Sequence, residues 1–467
     1  MESKYKLLLS NTAIFAIGNL LVKIISFFLI PLYTSVLTTE QYGVAELLNN
    51  TIEMVLPIAT LSIVEALYRF SIDRDTNKKS LFTNSIFMIL LGDVVVALVA
   101  MVLFHLLDYK YAYHFFLLYV TTSFYKLTTQ FSRGLGHVKR YAFYGVLNSL
   151  LLVTSNLVLL VKFNTGITGY LLSFSIAYGL TAIVALLVSN QYSYVSLKSF
   201  DVNLLKNMLR YSLPSIPNMI SWWINSLSDR YIVLLYWGAS SAGLYTAASK
   251  LPALINMITA IFQQAWQYST ATEIHKKDSK PFFSIVFRVY MYLCIIASST
   301  VMVFNKSISR ILFQEEFYRA WEFVPLLVLA ATFGCIATYF GTFYNALKNN
   351  YMLMISTMIG AVINVSLNFI LIPIYEGLGA AIATAISYFI VMIIRMIDIK
   401  KHIDIELNIY RFMNQIVVLS ITALVVSFES SYTTVITILL FLFSLFSDYK
   451  VLKRTVFVLI NKVFFKT

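Results

Sequence analysis

The stretch LFTNSIFMILLGDVVVALVAMVLFHLL (81–107) decides the fold class. It is almost entirely apolar and contains one acidic residue, Asp93. A helix needs about 20 mostly apolar residues to cross the hydrocarbon core of a bilayer. The stretch therefore predicts a transmembrane helix.

The composition of the whole chain agrees with a membrane protein. Of 467 residues, 59% are hydrophobic and 12% are charged, and the mean hydropathy is +0.77. A soluble domain has about 25% charged residues and could not bury this much apolar surface. The net charge of +13 would suggest nucleic acid in a soluble protein. In a membrane protein its placement in the loops matters more, and we expect no nucleic-acid partner.

Fourteen stretches have the length and apolarity of a span, at about 11–36, 43–68, 81–107, 112–131, 141–162, 167–188, 211–237, 243–270, 282–304, 322–345, 352–372, 377–397, 411–428 and 431–447. With the N-terminus inside, and with residues near the end of a span, such as Arg395, counted with the adjoining loop, 26 of the 35 Lys and Arg residues fall in inner loops, five in outer loops and four within spans. Inner loops are enriched in Lys and Arg. The bias predicts a polytopic all-α protein of about fourteen helices with both termini cytoplasmic.

The chain divides into five segments. Two six-span lobes, 1–188 and 211–398, flank a cytoplasmic linker at 189–210 that is expected to lie along the inner interface. Two further spans occupy 399–448, and 449–467 forms a basic amphipathic tail on an anionic inner leaflet. The first apolar stretch has no small-residue cleavage site, so we interpret it as a span and not as a signal peptide.

Weak internal similarity indicates that the two lobes are repeats. The matches are LTTEQYGVAE (37–46) with WGASSAGLYT (237–246), Asn156 with Asn368, and SIAY (175–178) with AISY (385–388), at offsets of 200, 212 and 210. An even number of spans per lobe gives both lobes the same orientation. A symmetry axis along the membrane normal and a substrate cavity between the lobes are then expected.

Polar side chains within spans 1 and 2 are candidate site residues, because a charge in a span usually faces a cavity or a partner. Lys23 lies near the middle of span 1 and shares a helical face with Asn19. We interpret Lys23 as a cation that lines the cavity, with a structural ion pair as the alternative. Glu46, Asn49 and Glu53 follow one stripe of span 2, which forms either a cavity face or a polar contact between helices.

Spans 7 and 8 carry a second polar set, consisting of Asn225, Asp229, Arg230 and Lys250. Two prolines at the start of span 7 could bend or break that helix. By sequence count, the three charged residues lie in the outer half of the membrane with the two glutamates of span 2. They either form a gate of ion pairs that closes the outer side or bind the substrate.

Asp93 has no partner near it in sequence and is a candidate proton or cation site for ion coupling. Cys294 and Cys335 lie in apolar runs and are interpreted as buried small hydrophobic residues. The sequence contains no phosphate-binding loop and no metal or redox motif. We therefore expect no cofactor, and transport powered by an ion gradient, the membrane potential or consumption of the product.

Four stretches carry a resemblance to a known family: GNLLVKIISFFLIPLYTSVLTTEQYG (18–43), RGLGHVKRY (133–141), PSIPN with SDRYIVLLYWGASSAGLYTAASK (214–250) and EGLGAAIAT (376–384). They resemble the multidrug/oligosaccharidyl-lipid/polysaccharide (MOP) exporter superfamily. Within it, they are most similar to the polysaccharide branch of Wzx-type oligosaccharide flippases and their teichoic-acid relatives. The resemblance covers nearly the whole chain.

The resemblance implies a V-shaped cavity lined by spans 1, 2, 7 and 8. It implies alternating access that moves an undecaprenyl-diphosphate-linked oligosaccharide across the bacterial cytoplasmic membrane. Lys23 and Lys250 match positions of cavity cations in such flippases, and Arg230 would join them at the diphosphate. A diphosphate in a low-dielectric cavity needs fixed positive charge. The partners would be the lipid-linked substrate, the bilayer, and other membrane proteins of the pathway such as a glycan polymerase.

Three alternatives remain open at the level of sequence. A multidrug cation antiporter of the same fold would have an acidic or apolar cavity, against which the basic residues in spans 1, 7 and 8 count. A lipid II flippase is harder to separate. A membrane glycosyltransferase or polysaccharide ligase would need catalytic residues on a sizeable external loop, and the longest outer loop, about 305–321, is short. We therefore expect a transporter and not an enzyme.

Overall fold

The structure is a computed structural model, and it describes residues 22, 24–73, 75–274, 279–347, 351–403, 405–406, 408–428 and 432–447. Asn19, Lys23 and the predicted tail at 449–467 lie outside these residues. In the described part of the chain, every regular element is helical. The prediction of an all-α fold is confirmed.

The helices are α1 (Ile24–Val36), α2 (Thr39–Ala59), α3 (Ile63–Ile72), α4 (Lys78–Leu107), α5 (Ala112–Gly134), α6 (Val138–Asn156), α7 (Gly166–Val188), α8 (Val202–Ser212), α9 (Ser215–Ala248), α10 (Pro252–Glu273), α11 (Ser279–Val303), α12 (Asn305–Leu312), α13 (Val324–Ala346), α14 (Tyr351–His402), α15 (Ile409–Ser427) and α16 (Thr433–Ser447). A π-helical turn, Leu157–Lys162, extends α6. Short 3-10 segments lie at Gln191–Tyr194, Leu197–Ser199 and Glu315–Glu322.

Seven of the described helices are long and apolar enough to cross a membrane: Lys78–His105, Val138–Lys162, Gly166–Val188, Lys280–Val303, Val324–Tyr344, Tyr351–His402 and Ile409–Ser427. The bent pair α2 and α3 forms an eighth if it is a single span. The opening stretch 81–107 falls within α4, whose start is capped by the Asn77 side chain. The protein is a multi-pass membrane protein, and the exact number of fourteen spans stays a prediction.

Predicted span 2 is broken in its second half. Helices α2 and α3 meet at an angle of 67°, and Leu61 and Ser62 between them have φ of +52° and +51°. Backbone groups freed inside a membrane need a partner within the protein. The hydroxyl of Ser212, at the end of α8, donates to the Leu61 carbonyl at 2.8 Å. The break is therefore a stabilised part of the fold.

The long helices α9 and α14 each contain one non-helical residue. In α9 it is Gly238, with φ of +81°, and in α14 it is Glu376, with φ of +55°. The predicted spans 7 and 8 are therefore joined without a loop. Pro217 lies in the first turn of α9, where its missing N–H would have no helical acceptor. Leu213 and Pro214 form a turn between α8 and α9, so the break expected near the start of span 7 is present, and Gly238 adds a second one further along.

The chain forms two compact units, Met1–Leu227 and Ser228–Thr467. In unit 1, α3, α4, α5 and α8 enclose an apolar core that includes Leu67, Phe82, Phe131 and Met208. The predicted linker packs on this core through Met208. Its path is fixed by Asn84, which donates to the Asp201 carbonyl and accepts from the Asp201 N–H at 2.8 and 3.1 Å.

Unit 2 is built around an aromatic core between α10, α11 and α13. Trp266 stacks on Tyr339 with 4.7 Å between ring centroids, and Phe283 and Phe343 meet edge to face. All four side chains are buried. This packing fixes α10 against α13 and gives unit 2 a rigid frame for the polar residues described next.

Candidate functional site

Asp229 lies at the centre of a buried hydrogen-bond network in unit 2. Its carboxylate accepts from the Tyr245 hydroxyl at 2.8 Å, from the Thr384 hydroxyl at 2.7 Å and from the Asn368 amide. Asn364 joins the network through Asn368 and Thr384. No described basic side chain forms an ion pair with Asp229. Carboxylate, amide and hydroxyl oxygens are ligands of hard cations, so the chemistry of this network also suits a small cation.

Arg230 follows Asp229 in α9 and is directed to a different partner. Its Nη2 donates to the Ser249 hydroxyl at 2.9 Å. Its Nε is buried and has no acceptor among the described residues. Ser249 precedes Lys250, and both lie in the turn between α9 and α10. The structure therefore brings Arg230 next to the backbone segment that carries Lys250.

Glu46 lies in a cluster of tyrosines in unit 1. Its Oε1 accepts from the hydroxyls of Tyr170 at 2.8 Å and Tyr42 at 3.3 Å. The ring of Tyr33 packs on Tyr170 with 4.9 Å between centroids, and its hydroxyl accepts from the Asn156 amide at 2.9 Å. Glu46 is 5% exposed. It therefore forms a polar contact between helices within the unit.

Glu53, seven residues further along α2, has a different environment. Its carboxylate oxygens lie 2.9 and 3.0 Å from the Nζ of Lys126 on α5, and the two side chains are 58% and 29% exposed. A partly exposed ion pair inside a transmembrane bundle is expected to face a water-filled path and not lipid. The pair marks a polar face of unit 1.

Asp93 is buried between α4 and α5. Its only described hydrogen bond comes from the Ser123 hydroxyl at 3.3 Å, and the buried hydroxyl of Tyr119 has no described partner. A buried carboxylate with so little compensation is costly when charged. The geometry is therefore suited to a group that binds a proton.

The other predicted site residues contribute less to the described structure. Asn49 is half-buried on α2, Asn225 lies in α9 with its side chain outside the description, and Asn19 and Lys23 lie outside the described residues.

The two buried networks use equivalent helices of the two units. Asn156, near the end of α6, donates to Tyr33 on α1, while Asn368, in the first half of α14, donates to Asp229 on α9. These are the two asparagines that the sequence repeat aligns at an offset of 212. A further hydroxyl comes from Tyr170 on α7 in unit 1 and from Thr384 in the second half of α14 in unit 2.

Arg395 is a buried cation that sequence reasoning assigned to an inner loop. It lies within α14 and is 8% exposed. Its guanidinium donates to the hydroxyls of Ser356 and Thr357 at 2.9 and 2.8 Å and to the Ala337 carbonyl at 3.2 Å. These bonds tie α13 and both halves of α14 together. The sequence could not predict this linking role, because Arg395 lies close to the end of a predicted span, where basic residues usually belong to the loop.

The structure has the fold of the MOP superfamily transporters. It is similar to the lipid II flippase MurJ in an inward closed conformation, with a TM-score of 0.67 and 14% identity, covering 95% of this chain and 99% of that chain. It is similar to an inward-facing multidrug resistance MATE family transporter, with a TM-score of 0.64 and 14% identity, covering 83% and 98%. A MOP superfamily transporter from Pyrococcus furiosus matches with a TM-score of 0.52 and 14% identity, covering 84% and 93%. At these identities, the likeness shows the fold alone.

The sequence gives the family directly. The profile of the family described as "Polysaccharide biosynthesis protein" matches residues 8–268. Because this match covers more than half of the chain, the protein belongs to the polysaccharide biosynthesis protein family. No curated protein matches the chain in sequence.

Proposed function

We propose that this protein is a flippase that moves an undecaprenyl-diphosphate-linked oligosaccharide across the bacterial cytoplasmic membrane by alternating access. The substrate would be a precursor of a cell-surface polysaccharide or a teichoic acid. Membership of the polysaccharide biosynthesis family supports the pathway, and the MOP fold supports a transport mechanism. The bilayer and the lipid-linked substrate are the partners, and both termini would be cytoplasmic.

The observation that carries this proposal is the environment of Arg230. A guanidinium within a transmembrane helix is usually paired with a carboxylate. Here no described carboxylate lies within 4 Å of Arg230, and its buried Nε lacks a described acceptor. The group therefore has capacity left for an anion. With Lys250 and Lys23, it would supply the positive charge that a diphosphate requires in a low-dielectric cavity.

The polar residues of unit 1 would serve the same cycle. The face marked by Glu53 and Lys126 would contact the sugars or the water that accompanies them. Asp93 would couple transport to protons, because neutralisation removes the cost of its poorly compensated burial. The network around Asp229 is a second candidate for the coupling ion, since its oxygens suit a small cation.

Two other transport functions make different predictions. A multidrug cation antiporter would be inhibited by positive charge in its cavity, so loss of Arg230 should leave efflux of cationic compounds unchanged or increase it. A lipid II flippase would use the same diphosphate chemistry and would differ only in the sugar and peptide. Transport assays with both lipids in one preparation separate these functions.

The test is transport of a fluorescent lipid-diphosphate oligosaccharide in proteoliposomes, read by its accessibility to an added sugar-oxidising reagent. We expect Arg230→Gln and Lys250→Gln to reduce the initial rate at least tenfold, because each removes charge at the diphosphate. Lys162→Gln is the matched control, since Lys162 is exposed beside Phe163. Wild-type rates in both cavity variants, at equal insertion, would contradict the proposal.

A further inference from the structure

The turn between α5 and α6 presents a concentrated positive charge that the proposed transport cycle leaves unused. On either side of this turn, Arg133 lies in the last turn of α5, and Lys139 and Arg140 lie in the first turn of α6, within the RGLGHVKRY stretch. Lys139 and Arg140 are exposed, and neither forms an ion pair with a carboxylate in the described part of the chain. We call these three residues the α5–α6 patch.

Two features hold the α5–α6 patch in a defined geometry. The guanidinium of Arg133 lies over the ring of Tyr68 at 4.5 Å and near the ring of Tyr141 at 5.5 Å. Its Nη1 donates to the Gln130 side chain at 3.4 Å. Arg133 thereby links α3, α5 and α6, so the patch is supported by three packed helices.

The position of the two exposed cations is unfavourable for the helix that carries them. Lys139 and Arg140 lie in the first turn of α6, which contains no acidic residue and has no side-chain cap. The helix dipole places positive partial charge at this end, so cations there are destabilising. The adjacent Gly136 has φ of +83° and open space where a Cβ would lie. An anion at the turn would compensate for the charge and could approach the backbone closely.

Burial and the nearby Arg140 lower the pKa of His137, the residue before α6. Its buried Nδ1 has no partner in the described structure. The contribution of Arg140 agrees with a turn that has an excess of positive potential.

We propose that the α5–α6 patch is a docking site for the diphosphate headgroup of a polyprenyl lipid at the inner leaflet, occupied before the lipid enters the transport path. This rests on the proposed function for the identity of the lipid and on the loop-charge bias for the inner side. Charge complementarity favours a diphosphate over a singly charged phospholipid, because two exposed cations, Lys139 and Arg140, lie at one end of α6. The patch would raise the local concentration of substrate.

The test measures binding and transport with the full-length protein. Fluorescent polyprenyl diphosphate is titrated into phosphatidylcholine nanodiscs that contain wild-type protein, the Lys139→Gln/Arg140→Gln variant, or the control Lys110→Gln/Lys162→Gln. The control also removes two exposed cations from unit 1. Arg133 is left intact because it packs between rings. Each patch charge removed should weaken binding about fivefold, and the control should bind as wild type.

Kinetics separate docking from transport. In proteoliposomes, the patch variant should need a higher substrate concentration for half-maximal flipping and should keep the wild-type maximal rate. The charge-conserving Lys139→Arg variant should keep the wild-type concentration for half-maximal flipping. Unchanged binding in the patch variant would overturn the proposal. Equal competition by phosphatidylglycerol at the same mole fraction would also overturn it, since the patch would then be a general anionic-lipid surface. If wild-type protein flips no lipid-linked glycan, the proposed function fails, while the nanodisc titration still decides whether the patch binds diphosphate.

Discussion

Substitutions at Asp229 test the buried network of unit 2 in detail. Asp229→Asn keeps the shape of the side chain and removes its charge. The Asn oxygen can accept from Asn368, and its NH₂ can donate to the hydroxyls of Tyr245 and Thr384, which accept as well as donate. Charge-assisted bonds become neutral ones, at a cost of about 1–2 kcal/mol. Asp229→Leu removes the acceptor altogether.

The cost of the leucine variant follows from the remaining partners. Thr384 still donates to the Ala380 carbonyl at 2.9 Å, and Asn368 still donates to Asn364 at 3.1 Å. Tyr245 loses its described acceptor, and the Asn368 amide loses one of its two described acceptors. Two buried donors left partly unpaired cost about 2–4 kcal/mol. For a unit of this size, the melting temperature should fall by about 10 °C, against about 3 °C for Asp229→Asn.

A thiol-reactive dye provides the assay, because Cys294 and Cys335 are both buried in unit 2 and react only when it unfolds. Ser387→Ala is the matched control, since the Ser387 hydroxyl donates only to the Ala383 carbonyl of its own helix. The melting temperature of Ser387→Ala should stay near that of wild type. Equal melting temperatures for the Asn and Leu variants would refute the network. If Asp229→Asn is stable and does not transport, the charge itself is needed for function.

Three further predictions concern the other polar groups. A double-mutant cycle of Glu53→Gln and Lys126→Gln in thermal unfolding should give a coupling free energy below about 1 kcal/mol, because the ion pair is partly exposed. A larger coupling free energy would place the ion pair in a dry interior. Arg395→Lys should lower the melting temperature nearly as much as Arg395→Leu, because a single ammonium nitrogen cannot reach three acceptors that bond three different guanidinium nitrogens. Full stability of the Lys variant would contradict this. Tyr170→Phe should lower the free energy of unfolding of unit 1 by about 1–3 kcal/mol in wild type and by less in a Glu46→Gln background. Additive effects of the two substitutions would show that the 2.8 Å hydrogen bond from Tyr170 to Glu46 contributes little.

The fold could be predicted from the sequence because membrane spans depend on local composition. The stretch 81–107 needs no partner to be recognised, and it appears as part of α4. The offset between Asn156 and Asn368 also has a structural counterpart, since each residue donates within its own unit, Asn156 to Tyr33 on α1 and Asn368 to Asp229 on α9. What local composition could not provide was the break at Leu61 and Ser62. Its stability depends on Ser212, which is remote in sequence.

The candidate site was only partly predictable, for the same reason. Polar residues in spans can be found by inspection, but their partners cannot. Glu46 and Glu53 share one stripe of α2, yet one binds tyrosines and the other binds Lys126, 73 residues away. Arg395 was counted with the inner loops because basic residues near the end of a span usually lie there. Its role depends on hydroxyls that the sequence does not distinguish from any others.

Initial rates of flipping in proteoliposomes test the central claim most directly. Wild-type protein, Arg230→Gln, Lys250→Gln and the control Lys162→Gln are compared with a lipid-diphosphate oligosaccharide and with the same glycan on a neutral lipid. We expect wild type and control to flip the diphosphate lipid, and both cavity variants to lose at least tenfold in rate. Transport of the neutral lipid at the rate of the diphosphate lipid, or full activity of both cavity variants, would contradict a flippase that recognises its substrate by the diphosphate.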